Sequence, residues 1–223
     1  LHRARSKWMQ TRTATINTVR GLLRELGVFI PVGAKKVVPL VHGYIGDAQS
    51  ECPDALRPVL MTMCEEIRAL EQSINEAEAQ LKALAKELPM VAQLLTIPGI
   101  GLITATALVA FVGDARRFKN ARRFASYQGL TPKENSSGGR RRLGRISKQG
   151  NSYLRHLLIR GARSMLRAAK TKTQPDRLRS WALDKAASRG PHKGTAAVAN
   201  KLARIAWAIW TKNTQYRSEA VAA

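Results

Sequence analysis

A heptad repeat of apolar residues in the middle of the chain constrains the fold more strongly than any other feature of the sequence. Gaps of four and three residues alternate along one stripe, whose members are Leu56, Leu60, Met63, Ile67, Leu70, Ile74, Ala77, Leu81, Leu84 and Leu88. Pro53 and Pro58 lie near its start, and Pro89 ends it. The spacing is that of a coiled-coil seam and predicts one helix of about 30 residues, roughly 45 Å long. Such a helix requires an apolar partner along its whole length.

Two partners fit the stripe, and the sequence leaves both open. Residues 1–27 form a basic amphipathic pattern that ends at Gly27, a typical C-cap, so they predict a helix that pairs with the stripe in an intramolecular hairpin. The second partner is another copy of the chain, in a homodimer or tetramer. Residues 28–50 are rich in proline and glycine, which predicts a loop with short turns.

The remainder of the chain also follows helical periodicity. Amphipathic patterns cover residues 152–170, 177–190 and 195–210, and no segment shows a convincing strand alternation. We therefore predict an all-α fold, in which a long coiled-coil helical hairpin is followed by a compact helical domain. Residues 1–90 form the first part, which serves assembly, and residues 91–223 form the second.

The segment "LLTIPGIGLITATALVAFVG" joins two apolar helices by a short Pro-Gly-Ile-Gly turn. It fits a helix-hairpin-helix motif, in which Gly99 and Gly101 let backbone amides approach a phosphate oxygen at the start of the second helix. The alternative is an ordinary tight turn between core helices. The basic charge of the sequence that follows favours the phosphate contact.

The chain carries a formal net charge of +23, concentrated towards its C-terminal half. Residues 114–223 contain 26 lysines and arginines against five acids, whereas residues 51–113 contain four against eight. So many cations on one folded chain favour a polyanionic partner, and nucleic acid is the leading one. No apolar run reaches the roughly 18 residues that a membrane span requires, so we expect no membrane partner and a cytoplasmic, nucleoid-associated protein.

Metal-ligating side chains are sparse in the basic half of the chain. Its acids are Asp114, Glu134, Asp176, Asp184 and Glu219. Cys52 and Cys64 have no metal-ligand spacing with the four histidines. A metal-dependent nuclease needs a cluster of carboxylates. We therefore expect this chain to bind no metal ion or cofactor by itself.

The stretch "NSSGGRRRLGRISKQGNSYLR", residues 135–155, combines serines, glycines and basic residues. By composition alone it is most simply a solvated basic linker. The alternative is a nucleophilic site, because Ser136 and Ser137 precede two glycines and three arginines that would bind a phosphate and stabilise a pentacoordinate transition state. Ser147 fits an N-cap or a turn instead.

Several of these segments, in this order and spacing, resemble one family of enzymes. The segments "LLTIPGIGLITATAL", "FASYQGLTPKENSSGGRRRLGRISKQGNSYLRHLLIRGAR" and "VANKLARIAWAIW" resemble the C-terminal region of the bacterial insertion-sequence transposases of the one-ten and eleven-eleven groups. Residues 1–28 also resemble the segment that follows the catalytic N-terminal domain of that family. The resemblance therefore spans nearly the whole chain.

The resemblance implies a two-part enzyme. An N-terminal RuvC-like domain with a DEDD carboxylate set binds magnesium, a coiled coil serves assembly, and a C-terminal transposase domain supplies a serine. That serine attacks a scissile DNA phosphate and forms a covalent phosphoserine, while a structured bridge RNA pairs with donor and target DNA. The family pattern falls on Ser137, with Ser136 as the runner-up and Ser147 third. The first 50 residues offer only Glu25 and Asp47, so we expect this chain to lack the DEDD set and to be inactive alone.

We predict DNA contacts from the glycine turn, the basic stretch and the start of the helix after it. The predicted residues are Gly99, Gly101, Lys133, Arg140, Arg141, Arg142, Arg145, Lys148, Asn151 and Arg155. Two other functions stay open: a non-catalytic helix-hairpin-helix module that binds DNA or RNA, and a coiled-coil assembly factor. Basic charge and phosphate-binding turns suffice for the first of these alternatives.

Overall fold

The computed structural model describes residues 1–218 and confirms the all-α class. Its helices are α1 (His2–Glu25), α2 (Val37–Gly46), α3 (Leu56–Glu87), α4 (Pro89–Leu95), α5 (Leu102–Val112), α6 (Ala121–Tyr127), α7 (Ser152–Lys170), α8 (Arg177–Arg189) and α9 (Pro191–Lys212). Two short strands, β1 (Pro132–Glu134) and β2 (Leu143–Ile146), form one antiparallel sheet. No helix among the described residues is long and apolar enough to cross a membrane.

The chain divides into two compact units between Leu81 and Lys82, in the last turns of α3. Unit 1 is residues 1–81 and unit 2 begins at Lys82. The predicted domains meet after residue 90 instead, and the last five residues of the second predicted domain, 219–223, lie outside the described part of the chain.

Helices α1 and α3 form the predicted antiparallel hairpin in unit 1. Three side-chain contacts join the two helices. They are Arg5 Nε to Glu78 Oε1 at 2.8 Å, Arg12 Nη1 to Glu71 Oε1 at 3.6 Å, and Thr15 Oγ1 to Glu66 Oε2 at 3.4 Å. As residue numbers rise along α1 they fall along α3, which defines an antiparallel pair. The heptad stripe is therefore buried within the chain at Leu60, Ile67, Ile74, Ala77 and Leu81, whereas Leu84 and Leu88 at its end are exposed. The homodimer or tetramer stays a prediction.

The apolar core of unit 1 takes residues from all three of its helices. Buried side chains come from α1 (Ile16, Val19, Leu23), α2 (Val37, Val38, Val41) and α3 (Leu60, Cys64, Ile67). The prediction of a loop over residues 28–50 was wrong for Val37–Gly46, which is helix α2. Its three buried valines hold it on the core, and Pro39 lies in the first turn, where its missing N–H costs no helical hydrogen bond.

Replacement of Ile67 by aspartate tests the hairpin. Ile67 is fully buried in α3, so an aspartate there places an unpaired carboxylate in an apolar core and should lower the free energy of unfolding by about 3–5 kcal/mol. Urea unfolding followed by far-UV circular dichroism measures the loss. Ala69→Asp, at an exposed position of the same helix, should cost little. A variant that keeps its stability but halves its mass in light scattering would assign the stripe to a dimer interface.

Helix α9 forms the centre of unit 2. It packs against α6, α7 and α8, and the side chains that it buries completely are Val198, Ala199, Leu202, Ala203 and Ala206. Three of these five are alanines, which let neighbouring helices approach α9 closely. Phe124 of α6 and Leu154 and Leu158 of α7 are also fully buried in this core. The start of α7 and the middle of α6 are therefore fixed by packing.

The turn between α4 and α5 packs against α7 through two glycines. A Cβ added to Gly161 of α7 would overlap the carbonyl oxygen of Gly99, and a Cβ added to Gly99 would lie 2.8 Å from the Gly161 carbonyl oxygen. Gly99 also has a φ of +87°, in the left-handed region. The close approach of the α4–α5 turn to the α7 backbone thus explains why position 99 is a glycine. The helix-hairpin-helix assignment is not confirmed and stays a prediction.

Candidate nucleic-acid interface

The predicted linker is instead the tip and second strand of a β-hairpin, which we call the ribbon (residues 132–146). Strand β1 pairs with β2 through Pro132 opposite Ile146 and Glu134 opposite Leu143, with a bulge between the two pairs. The backbone N–H of Asn135 donates to the Arg142 carbonyl oxygen at 2.9 Å. The expectation of no strand, and the composition argument for an unstructured linker, were both wrong here.

A two-residue turn places Ser137 at the tip of the ribbon. Ser137 and Arg140 exchange two backbone hydrogen bonds, of 3.3 and 3.0 Å, across Gly138 and Gly139. The φ angles of these glycines are +54° and +74°, so both are left-handed, as the type I′ turns favoured in two-residue hairpins require. The Ser137 hydroxyl forms no hydrogen bond with another described residue.

Ser136 differs from Ser137 because its hydroxyl is used within the ribbon. Its Oγ donates to Glu134 Oε1 at 2.9 Å and accepts a hydrogen bond from the Arg142 backbone N–H at 3.1 Å. The same Glu134 oxygen lies 3.8 Å from Nε of Arg141. Glu134 and Ser136 thus link the two strands beside the turn.

Backbone hydrogen bonds fix the base of the ribbon to the end of α6. The N–H groups of Ser147, Lys148 and Asn151 donate to the carbonyl oxygens of Thr131, Gly129 and Tyr127, at 2.8, 3.1 and 2.9 Å. Ser147 therefore lies in the extended base and does not cap a helix, so of the two alternatives, an N-cap and a turn, the N-cap is excluded. The cap of α7 is Asn151, whose Oδ1 accepts from the Leu154 N–H at 3.0 Å.

Arg155 and Asn151 both have roles inside the protein. Nη1 of Arg155, a half-buried residue of α7, donates to the carbonyl oxygen of Gln128 at 3.0 Å. This bond ties α7 to the turn that precedes the ribbon. The DNA contacts predicted for Asn151 and Arg155 stay predictions, with this structural role beside them.

Six predicted DNA-binding cations are exposed on the ribbon and just after it. They are Lys133, Arg140, Arg141, Arg142, Arg145 and Lys148. Residues 132–148 hold these six cations and one carboxylate, a net charge of +5. All residues from 132 to 145 are exposed, so neither face of the ribbon is covered by the protein. An isolated two-stranded hairpin is marginally stable in water, and its surface is free for a partner.

The other predicted contact, Gly101, lies apart from the ribbon in sequence. It is exposed and is the N-cap residue of α5, and no side chain caps this helix end. The backbone N–H groups at the start of α5 thus lie next to an exposed residue. Their contact with phosphate stays a prediction.

Helix α7 adds an exposed basic face after the ribbon. Arg160, Arg163 and Arg167 are exposed on it, opposite the buried apolar side. Partial burial, followed by the charges of Arg160 and Arg163, lowers the pKa of His156 below its usual value of 6.5. The positive charge of this face therefore comes mainly from arginine.

Metal-ligating side chains do not come together in the described part of the chain. Among residues 1–218 no three His, Cys, Asp or Glu side chains are grouped so that they would hold a metal ion. Cys52 and Cys64 are buried in unit 1 as free thiols, and burial raises the pKa of Cys64. These residues do not fit a magnesium site.

Comparisons with known proteins place this region in a family. Residues 91–177 match the model of the transposase IS116/IS110/IS902 family. The chain is 38% identical over 218 residues to a probable family 20 transposase of Pseudomonas aeruginosa, an alignment that covers 97% of this chain and 64% of that protein. Over residues 91–177 the chain therefore matches this transposase family. The resemblance predicted from the sequence is thereby confirmed.

Two further relatives of this chain are also transposases of insertion sequence elements. The transposase for insertion sequence element IS1111A of Coxiella burnetii is 36% identical over 97% of this chain and 59% of its own length. The transposase for insertion sequence element IS1328 of Yersinia enterocolitica is 33% identical over 97% of this chain and 63% of its own length. The chain thus spans about six-tenths of the length of these transposases. The residues matched by the family model, 91–177, include the whole ribbon.

Sequence reasoning missed two features of this region. It named Glu134 only as a scattered acid, although Glu134 joins Ser136 and Arg141 within the ribbon. It also did not predict a role for the cations before α6, Arg116, Arg117 and Lys119. The Gly-Gly pair was a signal for the hairpin, but the flanking residues are polar and lack the alternation that identifies strands.

Proposed function

We propose that this chain is the DNA-binding, nucleophile-supplying part of an insertion-sequence transposase. In this proposal the ribbon binds DNA, and Ser137 attacks the scissile phosphate during strand cleavage and exchange. The observation that carries the proposal is the exposed, basic ribbon with an unbonded serine hydroxyl at its turn. The match of residues 91–177 to the transposase family supports the role in transposition.

The shape and charge of the ribbon suit duplex DNA. Six residues of extended chain, 132–137, reach about 20 Å at 3.3 Å per residue. The major groove of B-DNA, about 12 Å wide, admits a two-stranded ribbon. The guanidinium groups of Arg140, Arg142 and Arg145 would bind phosphate oxygens by paired hydrogen bonds. A protein without strong base contacts still binds DNA through such charges.

The proposed chemistry is a transesterification at phosphorus. Oγ of Ser137 forms a bond to the phosphorus atom while the bond from phosphorus to one sugar oxygen breaks. The hydroxyl proton passes to water, and the departing sugar oxygen takes up a proton. The neighbouring arginines stabilise the extra negative charge of the pentacoordinate transition state. Ser137 is preferred to Ser136 because the Ser136 hydroxyl is already bonded to Glu134 and Arg142.

Three parts of the proposal rest on the sequence only, namely on the family resemblance and, for assembly, also on the heptad stripe. Magnesium, held by a DEDD set elsewhere in the intact enzyme, is one, and we assign no step of the reaction to it. A structured bridge RNA is the second. Assembly into a homodimer or tetramer through the coiled coil is the third. In this proposal the chain binds DNA alone but cleaves it only when those carboxylates are supplied.

Neutralising the ribbon tests the DNA contact. In the triple variant Arg140→Gln, Arg142→Gln, Arg145→Gln we expect weaker binding to a 30-base-pair duplex of random sequence. The slope of log K against log salt concentration should fall by about two to three, because each phosphate contact contributes about 0.9. Arg141 is retained since it lies beside Glu134. Fluorescence anisotropy over a salt series measures both quantities.

A matched control removes three exposed cations from α8 and α9. The variant Arg189→Gln, Lys193→Gln, Lys212→Gln has the same change in net charge but leaves the ribbon intact. It should bind almost as the unmodified chain does. Equal losses in the two triple variants would mean that net charge alone governs binding, and would contradict a role for the ribbon.

A further inference from the structure

A second group of cations lies immediately before and at the start of α6, outside the ribbon. We call it the α6 basic cluster; its members are Arg116, Arg117, Lys119, Arg122 and Arg123. All five are exposed, and none forms an ion pair with another described residue. The nearby carboxylate, Asp114, accepts a hydrogen bond from the Arg116 backbone N–H at 2.9 Å. The cluster therefore concentrates five cations beside a single carboxylate, Asp114, with which none of them forms an ion pair.

The backbone that carries the cluster is fixed to the core of unit 2. Ala115 is fully buried, and its carbonyl oxygen accepts a hydrogen bond from Nε1 of Trp207 at 3.1 Å. Oδ1 of Asn120 accepts from the Arg123 backbone N–H at 3.0 Å and caps α6. Phe124, in the middle of α6, is fully buried. The backbone on both sides of the cations is thus held by hydrogen bonds and packing, so binding an anion would require little ordering of the backbone.

Aromatic rings beneath the cluster orient one of its arginines. The guanidinium carbon of Arg117 lies 4.9 Å from the ring centroid of Phe118 and 5.2 Å from that of Tyr127. Phe118 also packs edge-on against Phe124, with ring centroids 5.2 Å apart. Single-stranded nucleic acids are bound largely by bases stacked on free aromatic rings. Here Phe124 is buried, and the half-buried rings of Phe118 and Tyr127 lie under the Arg117 guanidinium, which favours the phosphate backbone of a duplex over unpaired bases.

We propose that the α6 basic cluster is a second DNA site, which binds the phosphate backbone of the same duplex as the ribbon. This inference rests on the proposed function, because it assumes that the ribbon binds DNA. Helix α6 has seven residues and is about 10 Å long, and the ribbon begins five residues after its last residue. The two basic surfaces are therefore close along the chain, and a duplex of 30 base pairs is long enough to contact both.

Charge removal in the cluster tests the second site. In the full chain, Arg116→Gln, Arg122→Gln and Arg123→Gln are combined, while Arg117 is kept because it packs on the two rings. Binding to the 30-base-pair DNA duplex should weaken, and the salt slope should fall by about two to three. Circular dichroism and thermal unfolding should match those of the unmodified chain, since the changed side chains are exposed. The Arg189, Lys193 and Lys212 triple variant is the control.

The outcomes separate this inference from the proposed function. A cluster variant that binds DNA like the control, while the ribbon variant binds more weakly, overturns the second site alone. An unmodified chain without salt-dependent DNA binding overturns the proposed function and the second site together. Binding to an RNA duplex of the same sequence is measured in parallel. If the cluster variant loses affinity for that RNA but not for the DNA, the assignment to DNA is wrong.

Discussion

Replacement of Ser137 by alanine is expected to abolish covalent attachment of the protein to DNA. The assay supplies an N-terminal region of this transposase family as a separate chain, together with junction DNA labelled at its 5′ or 3′ end. A covalent complex that survives denaturing electrophoresis reports attack by a protein side chain. Because the side chain that forms the bond is gone, the yield in Ser137→Ala should fall by a thousand-fold or more, to background.

Two serine variants are the controls for this result. Ser136→Ala loses the hydrogen bonds to Glu134 and Arg142, so we expect a lower yield of adduct but not its loss. Ser147→Ala should retain the adduct, because Ser147 pairs with Thr131 through its backbone N–H. DNA affinity should be unchanged in all three variants. An adduct that persists in Ser137→Ala and disappears in Ser136→Ala would exchange the roles of the two serines.

The same assay distinguishes the enzyme from the binding module. If the unmodified chain binds DNA but forms no adduct when the carboxylates are supplied, the catalytic part of the proposal is wrong. The ribbon would then be a DNA-binding element without chemistry. Binding alone does not separate these two functions, because counterion release contributes to both.

Replacement of Gly161 by alanine is expected to destabilise unit 2 strongly. Gly161 lies within α7, where alanine normally stabilises a helix by about 1 kcal/mol relative to glycine. Here the added Cβ would overlap the carbonyl oxygen of Gly99. Backbone atoms cannot rotate away as a flexible side chain does, so the α4–α5 turn or α7 must shift. We expect a net loss of about 3 kcal/mol and a lower thermal midpoint by roughly 10 °C.

Glycines in open space provide the matched controls. Gly21 lies within α1, and a Cβ there would meet no atom within 4 Å, so Gly21→Ala should raise stability by about 0.5–1 kcal/mol. Gly101 in unit 2 also has open space, and its replacement should have a small effect. Thermal unfolding by circular dichroism measures all three variants. A Gly161→Ala variant as stable as the unmodified chain would contradict the contact between the turn and α7.

The contact between Gly161 and Gly99 also gives the glycine turn between α4 and α5 a structural role. The sequence pattern favoured a phosphate contact at Gly99 over a turn between core helices. The structure supplies a reason for Gly99 that involves no ligand, namely its contact with α7. Gly101, exposed at the start of α5, is the glycine of this turn that stays open to solvent.

The local sequence determined those elements whose stability comes from a repeated pattern. The heptad stripe predicted α3, the basic amphipathic arm predicted α1 and its end near Gly27, and the alternation of apolar and arginine residues predicted α7. These patterns are readable because each apolar position recurs every three or four residues and must be buried. The concentration of arginine and lysine beyond residue 113 and the family motifs were equally visible without coordinates.

Only the tertiary structure decided how the candidate site is built. The ribbon depends on pairing between segments about ten residues apart, and its exposed strands carry no apolar alternation that would reveal them. The roles of Asn151 and Arg155 at the ribbon's base, and of Gly99 beside Gly161, follow from backbone groups brought together by folding. The sequence thus determined which charges and serines the chain carries. The tertiary structure decided which of them face solvent, because hydrogen bonding and close packing use some of the same residue types inside the protein.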